Sequence, residues 1–129
     1  MRALQPPGWA KPKGYANGIE AQGRLVFVAG QIGWKADAVL AGPDLPSQTR
    51  QALANIVAVL AEAGAEARHI ARMTWYVTDK SEYNRDIKAI GAIYRDIIGS
   101  HYPTMTLVQV ADLLEPGAKV EIEATAVVP

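Results

Sequence analysis

"KVEIEATAVV", residues 119–128, decides how this chain folds. Val120, Ile122, Ala124, Ala126 and Val128 alternate with Glu121, Glu123, Thr125 and Val127, and successive side chains of a strand point to opposite faces of its sheet. One face is wholly apolar and must lie under helices. The other carries two carboxylates about 6.6 Å apart along the strand. Upstream, "YPTMTLVQVA" (102–111) reads as a turn and then a strand over Thr104 to Ala111, which sets Thr104, Thr106, Val108 and Val110 against Met105, Leu107, Gln109 and Ala111. Neither set is uniform, so the face turned away from the helices is mixed, as a subunit interface or binding cleft requires.

Two helices can cover the apolar face. The first is capped by Asp44 or Ser47 and has Pro46 in its first turn. Leu53, Ile56, Val57 and Leu60 recur at i, i+3, i+4 and i+7 before Gly64 ends it. The second lies in "SEYNRDIKAIGAIYRDIIG", with Tyr83, Ile87, Ile90, Tyr94 and Ile97 as one stripe before Gly99. "ARMTWYVTD" between them reads as a strand. Pro and Gly make residues 6 to 18 an irregular lead-in that ends near Tyr15. A short strand at Gly18 to Ala21, a tight turn at Gln22-Gly23 and a strand over Arg24 to Ala29 then form a first hairpin. The order β-β-α-β-α-β-β predicts a single two-layer α+β domain over residues 1–129, with both helices on one face of a mixed sheet.

Thirteen basic residues balance thirteen acidic ones without forming a patch, so the chain has no field to gather phosphate backbones. Nucleic acid is not an expected partner. Cysteine is absent, which removes disulfides, thiolate nucleophiles and cysteine-based metal sites, and fits a cytoplasmic protein. The apolar runs "IVAVLA" and "LVFVA" are far short of a membrane span, and the N-terminus has no signal-like run, so a soluble, unprocessed chain is expected.

The chemistry-bearing residues are few. Glu121 and Glu123 share one face of one strand and cannot flank a glycosidic bond from opposite sides. They are either solvated or interface-paired carboxylates, or one of them orients a water. His69 and His101 have no H-x-x-H or H-E-x-x-H spacing and no third ligand, so they read as surface histidines and no metal site is expected. Ser47, Ser81 and Ser100 lie outside any G-x-S-x-G setting, and Ser47 and Ser81 read as helix caps. Gly30, ending the strand in "VAGQIG", is a bulge or turn, or a place where a ligand comes close to backbone N–H groups. Tyr15 is packed, or offers its hydroxyl to a cleft.

Taken together, "GYANGI", "LVFVAGQIG", "TRQALANIVAVLAEAGA", "MTWYVTD", "YPTMTLVQV" and "VEIEATAVV" resemble, in order and over nearly the whole chain, the Rid or YjgF family of reactive intermediate deaminases, once labelled L-PSP endoribonucleases. The resemblance implies a chorismate-mutase-like fold with a six-stranded type of sheet. It also implies a homotrimer whose sheets face inward as a barrel, with small-molecule sites at the subunit interfaces. Family deaminases hydrolyse 2-imino and 2-enamino acids to 2-keto acids and ammonia with no metal or cofactor. Carried over, Glu121 is similar to the water-orienting glutamate, Tyr15 to the site tyrosine and Gly30 to the strand-end glycine. The family's carboxylate-clamping arginine has become Met105, and a site-lining cysteine appears as Leu107. The asparagine of the second helix has no clear match, Lys88 being nearest.

Loss of that arginine removes a charge-assisted pair of about 1.5–3 kcal/mol, or roughly one to two decades of affinity. Either another cation, among Arg72, Lys35 and Lys13, anchors the ligand, or the ligand has no carboxylate there. Met105 and Leu107 then floor an adaptable apolar pocket, unless Met105 simply packs between subunits. The resemblance implies a hydrolase of imines, enamines or related metabolites with an altered substrate. The alternative is a non-catalytic trimer that binds a metabolite or a protein. RNA cleavage, suggested by the old label, is opposed by the neutral charge.

Overall fold

The computed structural model describes residues 1–129. Its elements are β1 (Arg2–Leu4), β2 (Gly18–Glu20), β3 (Arg24–Gln31), α1 (Leu45–Glu62), β4 (Ile70–Val77), α2 (Lys80–Arg85), α3 (Ile87–Ile97), β5 (Thr104–Gln109) and β6 (Val120–Val128). A single 3-10 turn, Ala67–His69, precedes β4. The main sheet has the order β3-β6-β4-β5. The strand with the alternating carboxylates thus lies inside it, antiparallel to β3 and β4. β4 and β5 run parallel, so the chain between them must cross over, and α2 and α3 make that crossing.

The register puts Met73 beside Ala124, Trp75 beside Ile122 and Val77 beside Val120. These residues form one core with Leu53, Ile56 and Leu60 of α1 and Ile90, Ile93 and Tyr94 of α3. The α+β class, the mixed sheet and the helices on one face are as the alternation predicts. No helix is long and apolar enough to cross a membrane.

Five local readings are corrected. The strands number six but form two sheets, because β2 pairs with β1 (Arg2 opposite Glu20) and not with β3. Gly23 is not in a two-residue turn; at φ +151° it presses on the end of β6, where a Cβ would stand 2.2 Å from the Val128 carbonyl oxygen. The lead-in is therefore not wholly irregular, since Arg2–Leu4 supplies the partner strand and an Arg2–Glu20 ion pair at 2.6 Å joins the two. The second helix is broken at Asp86, whose φ of −98° and ψ of 11° leave helical geometry. There the Asp86 carboxylate takes two hydrogen bonds from the Arg85 guanidinium, at 3.2 and 2.9 Å, while its own N–H still donates to the Glu82 carbonyl at 3.0 Å. Finally, the caps are Asp44 and Asp79; Ser47 and Ser81 donate backbone N–H groups to them and do not cap.

Gln48, fully buried in α1, fixes where β6 begins. Its Nε2 donates to the carbonyls of Gly42 (3.0 Å) and Gly117 (2.9 Å), and its Oε1 accepts from Lys119 N–H (2.8 Å). The side chain thereby ties the loop before α1 and the loop before β6 to one helix, two residues ahead of Glu121.

Opposite the helices, the sheet is bare. Leu25 and Phe27 pair with Val127 and Thr125, and Thr74 and Tyr76 with Glu123 and Glu121, so all share that face. Phe27 is 72% exposed and Leu25 56%. Thr106 and Val108 of β5 join them through their pairing with Thr74 and Tyr76. Met105 and Leu107, in register with Met73 and Trp75, belong to the helix side and pack against the core.

Candidate functional site

The residues singled out from sequence fall into two groups. Glu121 and Gly30 form the first. Between Val28 and Gln31 the pairing of β3 with β6 slips, and this bulge brings the Gly30 backbone onto the Glu121 side chain. A Cβ at position 30 would stand 2.8 Å from Glu121 Oε1 and 2.9 Å from its carboxyl carbon. Only glycine lets the carboxylate lie there. Gly30, Gln31, Ile32, Trp34, Leu114, Glu115 and Glu121 line a cavity of about 280 Å³ at that end of the sheet.

The two carboxylates of β6 have different fates. Glu123 Oε1 accepts from the Tyr76 hydroxyl at 3.0 Å. That bond, followed by burial and the nearby glutamate charges, pushes the Tyr76 phenol above its ordinary range, so it stays a donor. Glu123 is thereby committed to holding β4 and β6 together. Glu121 makes no side-chain hydrogen bond or ion pair, although it is half-buried. Of the pair, it alone is free to take a proton or orient a water.

Tyr15, Met105 and Leu107 form the second group, on the other side of the sheet. They line a cavity of about 480 Å³ between α3 and β5, with Trp75, Tyr83, Tyr94 and Tyr102 as its aromatic walls and Lys13 and Arg95 as its cations. Tyr94 and Tyr102 stack with ring centroids 5.5 Å apart. The Tyr94 hydroxyl donates to the His101 carbonyl at 2.7 Å, and burial raises its pKa well above the phenol range. Trp75 is 2% exposed and its indole N–H meets no acceptor in the chain, an arrangement that costs about 1–3 kcal/mol when left unmet.

Of the cations considered as anchors, Lys13 lines the same cavity as Met105. Arg72 lines a separate depression of about 400 Å³ with Tyr15, Asn17, Thr104 and Met105 at the start of β5. Lys35 sits in the loop after β3 and lines neither. None of these three cavities holds both Glu121 and Met105. Sequence reading missed Trp75, Tyr102 and Arg95. The alternation of "RMTWYV" puts Trp75 on the same face as Met73, and Arg95 follows Gly91 by one helical turn, so both signals were present.

The histidines are not free surface groups. His69 is buried, and its Nδ1 accepts from Glu66 N–H at 2.9 Å. His101 Nε2 lies 2.6 Å from the Ile70 carbonyl, which only accepts, so that nitrogen carries the proton. Both imidazoles hold the approach to β4. No three His, Asp or Glu side chains gather as metal ligands would.

Comparison with known proteins defines the class. The family model described as "Endoribonuclease L-PSP" matches residues 9–128, and the chain belongs to that family, the Rid or YjgF group. TdcF of Escherichia coli, which carries the words reactive intermediate deaminase in its name, is 35% identical over 130 residues, covering 98% of this chain and 95% of that protein. The human 2-iminobutanoate/2-iminopropanoate deaminase is 29% identical over 105 residues, covering 81% of this chain and 73% of that one. Among solved structures, the Rid protein YyfB from Yersinia pestis superposes with a TM-score of 0.88 at 33% identity and 98% coverage of both chains. E. coli TdcF with bound serine gives 0.70 at 31% identity over both whole chains.

Proposed function

We propose that the chain is a cofactor-free hydrolase of imines, enamines or related reactive carbonyl derivatives, whose site is completed by a neighbouring copy and whose substrate differs from the simplest 2-imino acids. The observation that carries the reading is the unpartnered Glu121 carboxylate held against the Gly30 backbone. Names of relatives add weight, two of them containing the word deaminase.

In the reaction, Glu121 accepts a proton from water as the water oxygen bonds to the C=N carbon. Glu121 passes that proton to the nitrogen, giving a neutral tetrahedral amino alcohol, and then relays the hydroxyl proton to the nitrogen as the C–N bond breaks, so that ammonia or an amine leaves, a ketone or aldehyde remains and the carboxylate is restored. Met105 and Leu107 supply apolar contact where a guanidinium would otherwise hold a carboxylate. A carboxylate on one face of the sheet and an apolar cavity on the other meet only if copies associate. The exposed Leu25 and Phe27 support association through the bare faces; on the family resemblance the copies number three, with small-molecule sites between them in a cytoplasmic setting.

The test is purified protein supplied with imines generated by an amino-acid oxidase. Accelerated release of ammonia that disappears in Glu121→Gln supports the reading. No acceleration with any imine, beside an active family control, refutes it. Met105 favours a second reading, a non-catalytic binding trimer, which predicts ligand-induced stabilisation without turnover and no effect of Glu121→Ala.

A further inference from the structure

The cavity between α3 and β5 has a composition that specifies more than an apolar floor. Its walls are rings: Trp75, Tyr83, Tyr94 and Tyr102, with the half-exposed Tyr15 at its edge. Flat π-faces reward an aromatic guest through offset or edge-to-face contact, which an aliphatic chain of equal size does not receive. No acidic side chain lines the cavity, whereas Lys13 and Arg95 do. Both are exposed, and neither is within ion-pairing distance of a carboxylate.

Gly91, one turn before Arg95, adds a second observation. A Cβ there would stand 3.4 Å from Arg95 Nη1, so the guanidinium folds down over the glycine on a surface that both residues share.

We propose that this cavity binds small aromatic anions, with the ring among the tyrosines and Trp75 above the Met105–Leu107 floor and the negative group at Lys13 and Arg95. The inference rests on the proposed function in taking the cavity as one half of the ligand site, and it names the class of substrate: imines or carbonyl compounds bearing an aromatic ring and an acid. The two cations take over the anchoring role, displaced from β5 to the lead-in and to α3. Arg95 offers a bidentate fork and Lys13 a point charge, so the guanidinium is the stronger anchor.

The test is an NMR titration of the full-length protein with phenylacetate, propanoate and 2-phenylethanol. Phenylacetate is expected to bind about tenfold more tightly than either control, with amide shifts centred on Gly91, Tyr102 and Leu107. Arg95→Gln weakens phenylacetate about tenfold and leaves 2-phenylethanol unchanged. Ile87→Trp, at a wall position that is 49% exposed and so tolerant of substitution, fills the slot and abolishes binding of both aromatics. Equal affinity for propanoate and phenylacetate, or an Arg95→Gln variant that binds phenylacetate as the wild type does, overturns the proposal. The two readings fail separately. Selective binding of phenylacetate with no hydrolysis of any imine refutes the proposed function alone. Hydrolysis of aliphatic imines without aromatic selectivity refutes this inference alone.

Discussion

At the scale of single residues, the closest approach in the candidate site is between a backbone and a carboxylate. Because a methyl group on residue 30 would collide with Glu121 Oε1 at 2.8 Å, Gly30→Ala must push the carboxylate aside. Imine turnover is expected to fall roughly ten- to a hundredfold while far-UV circular dichroism stays that of the wild type; an unchanged rate means that the carboxylate position does not matter. At Met105, restoring a guanidinium tests what its absence does. Met105→Arg is expected to raise kcat/KM for small 2-imino acids by roughly one to two decades, measured against the same oxidase-generated substrates. The sequence made Glu121 legible through its alternation. It did not show Gly30 resting on it, since that contact depends on a bulge in the pairing of strands almost a hundred residues apart. Alternation alone did not separate Glu121 from Glu123, which only the family resemblance did, because the physical distinction lies in Tyr76, a partner on another strand.

Among the elements, the helices carry the clearest consequences. Ser47 N–H and hydroxyl hydrogen bonds hold the Asp44 carboxyl below its usual range; the Ser81 hydroxyl and then the Glu82 N–H do the same for Asp79. A depressed carboxylate contributes stability that is present above its unfolded pKa of about 3.9 and is lost as pH falls through the lower folded value. Asp44→Asn with Asp79→Asn retains an acceptor at each cap but removes the titration. Urea midpoints measured at pH 6 and pH 3 are therefore expected to differ less in the double variant than in the wild type. Gln48 joins α1 to two loops by three hydrogen bonds, and Gln48→Ala is expected to cost about 2–4 kcal/mol in urea unfolding. The two long periodic stretches were legible as helices because one face must be apolar. The break at Asp86 was not, since the apolar stripe continues across it and only the local backbone departs. The first hairpin was misread for a related reason: Gln-Gly is a good turn signal, but the contact of Gly23 with the end of β6 overrides it.

For the whole molecule, the sheet divides the chain's chemistry. Glu121 and Gly30 open on one side and one end, while Tyr15, Met105, Leu107 and the aromatic walls open on the other. Alternation along β5 and β6 contained this division, yet it appeared only once the parallel register of β4 with β5 fixed which face Met105 takes. In the proposed reaction the two halves meet between copies. The direct measurement is the rate of imine hydrolysis by an equimolar, co-refolded mixture of Glu121→Gln, which lacks the carboxylate, and Met105→Trp, which blocks the floor. Each variant alone is expected to be inactive. If sites are shared between copies, the mixture recovers roughly a quarter of the wild-type rate, because random assembly pairs an intact carboxylate with an intact cavity in that share of interfaces. A mixture as inactive as its components, beside an active wild type, contradicts it.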